Sequence, residues 1–272
     1  MNNLSVLIFG CDKHIEVAQR SYLLIRKLNP FLLDYITFVT DKSITLKKDF
    51  FPHVLVVESS NFSERILKAL ETVKTPYVMH LLDDDFILEK LNEMNIDHLV
   101  EFLGSNKIHY CKLLGNPKGR KIYKPRFKTQ AGSVRRIKQK LMYAVSLQPS
   151  MWKTDMLKKV SKLGAAKGPT AWDAEICCYK VQLELSDNLL VFDKNYIHSY
   201  NAVLKGKLFP KTNKILEKEG IPPLEMPTLS KTETLIFKLR TNVISKLPFR
   251  NFWKKIGHLF GKKFYSDEVD NL

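Results

Sequence analysis

Short apolar runs alternate with amphipathic stretches along the first eighty residues. Four runs have the length and the β-branched content of buried strands: SVLIFG (5–10), YITFVTD (35–41), HVLVVES (53–59) and YVMHLL (77–82). Between them, 14–29 and 61–73 repeat apolar residues at helical spacing, and Asn61 or Ser63 can cap the second helix. The alternation predicts parallel strands with helices on both faces, an architecture that binds ligands at the carboxyl ends of its strands.

The pattern after residue 82 predicts further elements and three segments. The elements are a helix over 87–106, a strand over 108–114, a basic loop or hairpin over 115–140, a strand and a helix over 145–164, a helix over 172–185 and a strand over 195–200. Prolines then predict a linker, and a basic stretch with helical periodicity follows. We expect a domain at 1–208, a Pro-rich linker at 209–229 and a basic amphipathic tail at 230–272.

The fourth apolar run ends in three adjacent carboxylates, Asp83, Asp84 and Asp85. Like charges repel, so a cation, a helix terminus or open water must offset their proximity. Asp83 and Asp85 form an hhhhDxD ending, and such hard oxygen ligands suit a Mg²⁺ or Mn²⁺ ion that bridges two phosphates. The alternative is that Asp85 caps a helix starting near Phe86 while its neighbours are solvated.

The composition of the chain limits the compartment in which the protein is expected and the kinds of partner that it can bind. A formal charge of +16 and a pI of about 9.6 indicate an anionic partner, which can be a nucleotide, a nucleic acid or a phospholipid surface. The four cysteines have neither CxxC nor zinc-ligand spacing, which favours free thiols in a reducing compartment. The N-terminal run lacks a basic leader and reads as a strand, and eighteen apolar residues never run together. We expect a cytoplasmic protein.

Several segments together resemble one enzyme family. They are SVLIFG, NFSERILKAL, LLDDDFIL, SLQPSMWKTDML, WDAEI and YIHSYNAVLKGKLF. Over residues 4–207 the chain resembles the GT-A glycosyltransferases, and most of all the bacterial transferases that build surface polysaccharides such as capsule, O-antigen or lipopolysaccharide. The resemblance implies a GT-A-like, Rossmann-type mixed sheet flanked by helices, a nucleotide-sugar donor with UDP-sugar favoured, a Mn²⁺ or Mg²⁺ ion, and a glycan or lipid-linked acceptor.

The same resemblance implies a general base in WDAEI. An inverting transfer needs a group that takes the acceptor's proton, and a carboxylate within hydrogen-bond reach suffices. The family's usual Glu-Asp pair is replaced here by Asp-Ala-Glu. We assign Glu175 as the base and Asp173 as the residue that holds the acceptor. Alternatively, Asp173 is a first-turn carboxylate stabilised by the helix dipole.

A late histidine and two lysines match a metal and diphosphate site in the family. His198 would complete the metal shell, and Lys205 and Lys207 would neutralise the leaving diphosphate, where negative charge builds during transfer. The alternatives are a core strand histidine and two solvated surface lysines.

Donor contacts and membrane contacts complete the predicted site. Asp41, Arg65 and Asp84 lie where the donor nucleotide is expected, although Asp41 can instead cap a turn and Arg65 can be a surface residue.

The tail mixes Leu, Ile, Phe and Trp with Lys and Arg, so it either lies on an anionic membrane at the inner face of the cell or packs on the domain.

Two other function classes share some of these features. A nucleotidyltransferase would use a similar sheet and metal carboxylates, but FGCDKHIEV lacks the Gly-rich basic loop expected after its first strand. A basic nucleic-acid-binding protein would explain the charge and the run RRIKQK (135–140), but the acidic triplet would repel phosphate unless a metal were bound. We therefore expect no nucleic-acid partner.

Overall fold

The computed structural model describes residues 2–42, 50–115, 126–137, 144–184 and 188–242. By its internal contacts the chain divides into a first unit, residues 1–201, and a second unit, residues 202–272. The division falls before the 208/209 boundary that composition predicts, because 203–208 form a hairpin whose last residue bonds to the backbone near residue 227.

The first unit alternates strands and helices. Its strands are β1 (Leu4–Phe9), β2 (Ile36–Thr40), β3 (Val54–Val56), β4 (Tyr77–Leu82), β5 (Asp85–Ile87), β6 (Tyr110–Lys112), β7 (Arg126–Thr129), β8 (Gly132–Arg136), β9 (Ser150–Lys153), β10 (Leu189–Phe192) and β11 (Ser199–Asn201). Its helices are α1 (Ile15–Leu28), α2 (Phe62–Thr72), α3 (Glu93–Ser105), α4 (Thr154–Lys167) and α5 (Ala171–Glu184). Short 3₁₀ turns occupy Asp12–His14 and Pro30–Tyr35.

Within the described residues, nine strands form one mixed sheet in the order β3-β2-β1-β4-β9-β6-β10-β8-β7. The four strands predicted before the aspartates are parallel to one another, whereas β9 runs antiparallel between β4 and β6. The hairpin expected within 115–140 is β7–β8, and it joins the sheet through β10. The predicted class, a Rossmann-type mixed sheet flanked by helices, is confirmed.

Helices cover both faces of this sheet because its central strands are apolar on both sides. Val6 and Ile8 of β1 pack into a cluster that includes α1 and α3 residues. Leu7 and Phe9 point the other way, into a cluster with α2, α4 and α5. Alternate residues of a strand face opposite sides of a sheet, so a central strand must be apolar throughout to serve both cores.

The chain directly after the aspartates differs from the prediction. The helix expected over 87–106 begins only at Glu93, where the side chain of Asn92 caps it. Residues 85–87 instead form β5, which pairs antiparallel with β11, and Phe86 and Ile87 are fully buried. Asp85 therefore does not cap a helix at Phe86, and that alternative is wrong.

The second unit begins with a tight hairpin. Its elements are β12 (Val203–Leu204), β13 (Lys207–Leu208), α6 (Thr212–Lys218) and α7 (Lys231–Asn242). Lys205 and Gly206 both have positive φ, at 52° and 76°, as a two-residue type I′ turn requires. The stretch expected as a linker carries α6, and Asn213 bonds both to the N–H and to the C=O of Leu224. The part of the predicted tail after residue 242 lies outside the described residues.

No helix within the described ranges is long and apolar enough to cross a membrane.

Candidate active site

The candidate site lies where β1 and β4 end side by side. The hydrogen bonds between neighbouring strands continue one residue beyond the ends of β1 and β4. The N–H of Gly10 donates to the carbonyl of Val39 in β2 at 3.0 Å, and the N–H of Asp83 donates to the carbonyl of Phe9 in β1 at 2.9 Å. A Cβ atom on Gly10 would lie 2.7 Å from Oδ2 of Asp83 and 2.8 Å from the Phe38 ring. Only glycine lets the first strand pass this close to the carboxylate.

Asp83 is a carboxylate in an environment that disfavours its charge. Its Oδ2 atom is buried and has no hydrogen-bond partner among the described residues. Burial, followed by the charge of Asp84, raises its pKa to about 8, although a hydrogen bond from the Cys11 backbone and the charge of Arg65 act the other way. The ionised form of Asp83 is therefore disfavoured unless a positive charge lies close to it.

Asp85 is buried even more completely, with 1% of its surface exposed. Its Oδ2 accepts the N–H of Leu82 at 3.0 Å, but its Oδ1 is buried without a partner among the described residues. Burial raises the pKa of Asp85 well above its usual value, and the charges of Asp84 and Asp83 add to the effect. The triplet thus places two carboxylates where their ionised forms need an external positive charge.

The two carboxylates fit a divalent cation in part. Hard cations prefer carboxylate oxygens, and Asp83 and Asp85 each offer one without a partner. Within the described ranges, however, no three His, Cys, Asp or Glu side chains group as a ready metal shell. A cation bound here would therefore draw its other ligands from substrate oxygens or water.

His198 is anchored next to β5 but is not part of a three-residue shell with the aspartates. Its N–H donates to Oε1 of Glu89 at 3.0 Å, and its carbonyl accepts the N–H of Leu88 at 2.9 Å. His198 is exposed, and it directly precedes β11, the strand that pairs with β5. It is not the buried core histidine of the alternative reading, and metal ligation by His198 stays a prediction.

Arg65 belongs to this site and is not a surface residue. It is 9% exposed, its Nη1 donates to the Gly10 carbonyl at 2.6 Å, and its guanidinium lies 5.4 Å from the centre of the Phe62 ring. Burial raises the pKa values of Asp83 and Cys11, and the charge of Arg65 opposes this effect in both. The helix α2 thus brings one positive charge to the aspartates.

Asp41 closes the turn that follows β1. Its Oδ1 accepts the N–H of Asp12 at 2.9 Å, and Asp12 in turn forms a 3.3 Å ion pair with Lys42. This is the turn-capping role predicted as its alternative, and a donor contact by the other carboxylate oxygen stays a prediction. Asp84 is half-buried, and its charge raises the pKa values of both neighbouring aspartates.

Glu175 is held at the same edge of the sheet. Its Oε1 accepts the N–H of Leu147 at 3.4 Å, three residues before β9. Because Ser150 pairs with His80 in antiparallel register, the chain preceding β9 lies beside the end of β4 that leads to the aspartates. Burial raises the pKa of Glu175, while the Leu147 hydrogen bond and the Lys112 charge lower it. A buried carboxylate with a raised pKa suits proton abstraction near neutral pH.

Asp173 stabilises the start of α5. Its Oδ2 accepts the N–H of Thr170 at 2.9 Å, and Oγ1 of Thr170 accepts the N–H of Asp173 at 3.2 Å. This reciprocal pair is a capping box. The helix-start alternative accounts for Asp173 fully, whereas an acceptor contact by this residue stays a prediction.

Lys205 and Lys207 belong to the second unit. Lys205 is exposed in the hairpin turn, and Nζ of Lys207 lies 2.7 Å from Oε1 of Glu233 in the first turn of α7. The hydrogen bond from Lys207 is the main reason why the pKa of Glu233 falls to about 2. The diphosphate role of both lysines stays a prediction.

Three site residues were not predicted as such: Gly10, Cys11 and Lys112. The signal for Gly10 was its position directly after an apolar run, where a close approach needs a residue without a side chain. Cys11 contributes through its backbone, and Lys112 acts from a separate strand. Neither has a local sequence signature.

Neither a protein-family profile nor a curated protein matches the sequence. Among solved structures the chain is similar to S. aureus TarS 1-349, with 14% identity over 72% of this chain and 59% of that chain and a TM-score of 0.46. TarS 1-349 in complex with UDP-GlcNAc gives 13% identity over 91% and 77%, with a TM-score of 0.47. A cytidylyltransferase from Leptospira borgpetersenii gives 11% over 74% and 82%, with a TM-score of 0.43.

The chain spans 59% and 44% of the first two TarS chains that it matches. With TM-scores below 0.5, these likenesses do not identify its activity. The protein is a mixed α/β protein whose acidic site lies at the carboxyl ends of its parallel strands.

Proposed function

We propose that the protein is a metal-dependent glycosyltransferase of GT-A type, which moves a sugar from a nucleotide-sugar donor to a glycan or lipid-linked acceptor in surface polysaccharide synthesis. One observation carries the proposal. Asp83 and Asp85 present unpartnered, buried carboxylate oxygens beside Gly10 and Arg65, at the sheet edge where open α/β folds bind ligands. Such a pair is costly to the fold unless it serves a cation.

The donor would lie across the ends of β1, β2 and β4. Asp83 and Asp85 would hold Mn²⁺ or Mg²⁺, which when bound supplies positive charge for the leaving diphosphate. Arg65 supports the turn at Gly10 through its hydrogen bond, and Asp41 orders the following turn through Asp12. These two contacts would keep the nucleotide-facing backbone in place while a donor binds and leaves.

Glu175 would serve as the general base in an inverting transfer. The acceptor oxygen would attack the sugar's anomeric carbon and give its proton to Glu175, while the bond to the diphosphate oxygen breaks and its electron pair leaves with the nucleotide. The burial of Glu175 supports this role, because a raised pKa strengthens the carboxylate as a base. Asp173 would contribute through the position of α5, and His198 through the position of β5.

The C-terminal segment would bring the enzyme to an anionic membrane. In α7, Leu235 and Ile236 are 57% and 44% exposed, and Lys231 at its start is also exposed. Apolar side chains mixed with lysines suit the boundary between headgroups and acyl chains. A lipid-linked acceptor would be found at that surface.

A donor screen tests the proposal. Purified protein is incubated with UDP-, GDP- and CMP-sugars, starting with UDP-GlcNAc, the ligand in one of the similar structures. We expect hydrolysis of one donor that requires Mn²⁺ or Mg²⁺, stops in EDTA and is lost in Asp85→Asn. CTP and UTP with sugar phosphates are tested in parallel. Pyrophosphate release from those mixtures, with no donor hydrolysed, would make the protein a nucleotidyltransferase instead.

A further inference from the structure

A cavity of about 540 Å³ opens in the first unit, apart from the aspartate triplet. Its walls come from three separate parts of the chain. They are residues 89–95, which follow β5 and run into the first turn of α3, residues 131–133 at the tip of the β7–β8 hairpin, and residues 192–196, which comprise the last residue of β10 and the loop after it. Its volume falls within the range of roughly 300–1,000 Å³ that is typical of small-molecule sites. None of the site residues predicted from the sequence lines it.

The cavity lies at the same edge of the sheet as the triplet. β10 is parallel to β6, and both β6 and β4 are antiparallel to β9, so β10 and β4 end at the same edge. β5 leads from Asp85 to the cavity wall at Glu89, four residues further, a span of roughly 13 Å for extended chain. The hydrogen bond between Glu89 and His198 fixes this connection. A ligand in the cavity would therefore lie within a few sugar lengths of the aspartates.

The lining combines one partly exposed aromatic ring, that of Tyr196, with uncharged polar groups. The rings of Phe192 and Tyr196 stack with their centres 4.8 Å apart. Asn95 and Ser133 supply an amide and a hydroxyl, which can both donate and accept hydrogen bonds. A sugar ring has apolar C–H faces and a rim of hydroxyl groups, so this combination is complementary to it.

The charges of the lining argue against an anionic ligand. Two carboxylates, Glu89 and Asp193, are matched by two ammonium groups, Lys90 and Lys194, so the lining has no net charge although the whole chain carries +16. Asp193 is moreover held in an ion pair with Arg135. A phosphate site would need convergent positive charge. The positive charge of the protein is therefore not concentrated here.

We propose that this cavity binds the acceptor, as a neutral, hydroxyl-rich saccharide that reaches from it toward the aspartates. The assignment rests on the proposed glycosyl transfer for its catalytic meaning, but saccharide binding is testable alone. The occupant is uncharged, its ring lies against Tyr196, whose own ring packs on the buried Phe192, and its hydroxyl groups bond to Asn95 and Ser133.

The test uses saturation-transfer NMR on the full chain with maltotriose, cellotriose, mannotriose and tri-N-acetylchitotriose as probes. We expect at least one to receive saturation from wild type, and Asn95→Phe, which fills the cavity, to weaken that binding roughly tenfold or more. Met94→Phe is the matched control, since Met94 neighbours Asn95 on α3 but is 67% exposed and does not line the cavity. Asn95→Ala replaces Asn95→Phe if that variant does not fold, with a loss of roughly threefold or more expected.

Absence of binding by all four probes, or equal binding by the Asn95 and Met94 variants, would overturn the assignment. A charged probe settles the alternative: tighter binding of maltose phosphate than of maltose would make this an anion site. Donor hydrolysis by wild type is measured separately. Saccharide binding that is lost in Asn95→Phe, in a protein that hydrolyses no donor, would keep the cavity assignment while rejecting the glycosyltransferase.

Discussion

Replacing Asp83 by asparagine should make the metal-free protein more stable at alkaline pH. The folded pKa of Asp83 is about 8, against 3.8 for an exposed aspartate. Between these values the folded state holds a proton that the unfolded state has released, so stability falls as pH rises from about 4 to about 8. At ~1.4 kcal/mol per pH unit, the gap of about four units corresponds to at most ~6 kcal/mol.

The assay is urea unfolding in EDTA at about pH 5 and about pH 9, followed by tryptophan fluorescence, to which the buried Trp152 contributes. The wild type should lose several kcal/mol more than Asp83→Asn between the two conditions. Asp85 also has a raised pKa, to which the charge of Asp83 adds, so Asp83→Asn reduces the pH dependence that comes from Asp85 as well and the difference acts in the same direction. Asp34→Asn, at an exposed carboxylate, is the control and should follow the wild type.

Adding Mn²⁺ at about pH 9 should restore stability to the wild type, by ~2.7 kcal/mol at a hundred times its dissociation constant, and not to Asp83→Asn. Equal pH slopes for wild type and Asp83→Asn would refute the reasoning, because the carboxylate would then be solvated. Stabilisation of both proteins by Mn²⁺ would place the cation elsewhere.

Three further predictions concern the rest of the site. Gly10→Ala should destabilise the fold by ~1–3 kcal/mol and abolish donor binding, because a methyl group would meet a carboxylate oxygen at 2.7 Å; normal unfolding and donor titrations would contradict it. Glu175→Gln should lower turnover by roughly a hundred- to ten-thousandfold with donor binding retained. Asp173→Asn and Thr170→Ala should each lose about 1 kcal/mol of stability and keep most of the turnover, because both disrupt the same helix cap; the reverse order of rates would make Asp173 the base. Truncation after Pro227, which removes α7 and the residues after it, should abolish salt-sensitive sedimentation with anionic vesicles, and unchanged sedimentation would leave the tail without a membrane role.

The early strands could be predicted because each of them is buried, and a buried strand is recognisable in the local sequence. β1, β2 and β4 are covered on both faces, so each is a continuous apolar run, and the predicted bounds agree to within about a residue. β10, with the sequence LLVF, was not predicted, because four apolar residues after a helix do not indicate a strand by periodicity alone. The insertion of β9 between β4 and β6 is likewise a long-range pairing that no local pattern shows.

The structure of the chain directly after the aspartates also depends on long-range pairing that no local pattern shows. FILEKLNEM has the composition of a helix, yet Phe86 and Ile87 pair with β11, more than a hundred residues later. Asp83 and Asp85 could be singled out from their place at the end of a buried strand, and Arg65 from its helix. The cavity could not be predicted, since its walls come from three distant segments and none of them carries a motif.

Calorimetric titration of UDP into the protein, with and without Mn²⁺, tests the central claim most directly. We predict that UDP binds the wild type in Mn²⁺, that EDTA removes most of the affinity, and that Asp85→Asn binds no better in Mn²⁺ than in EDTA. UDP binding of equal strength in all three conditions would show that the buried aspartates do not serve a metal-bound diphosphate. In that case the glycosyltransferase proposal would lose the observation that carries it.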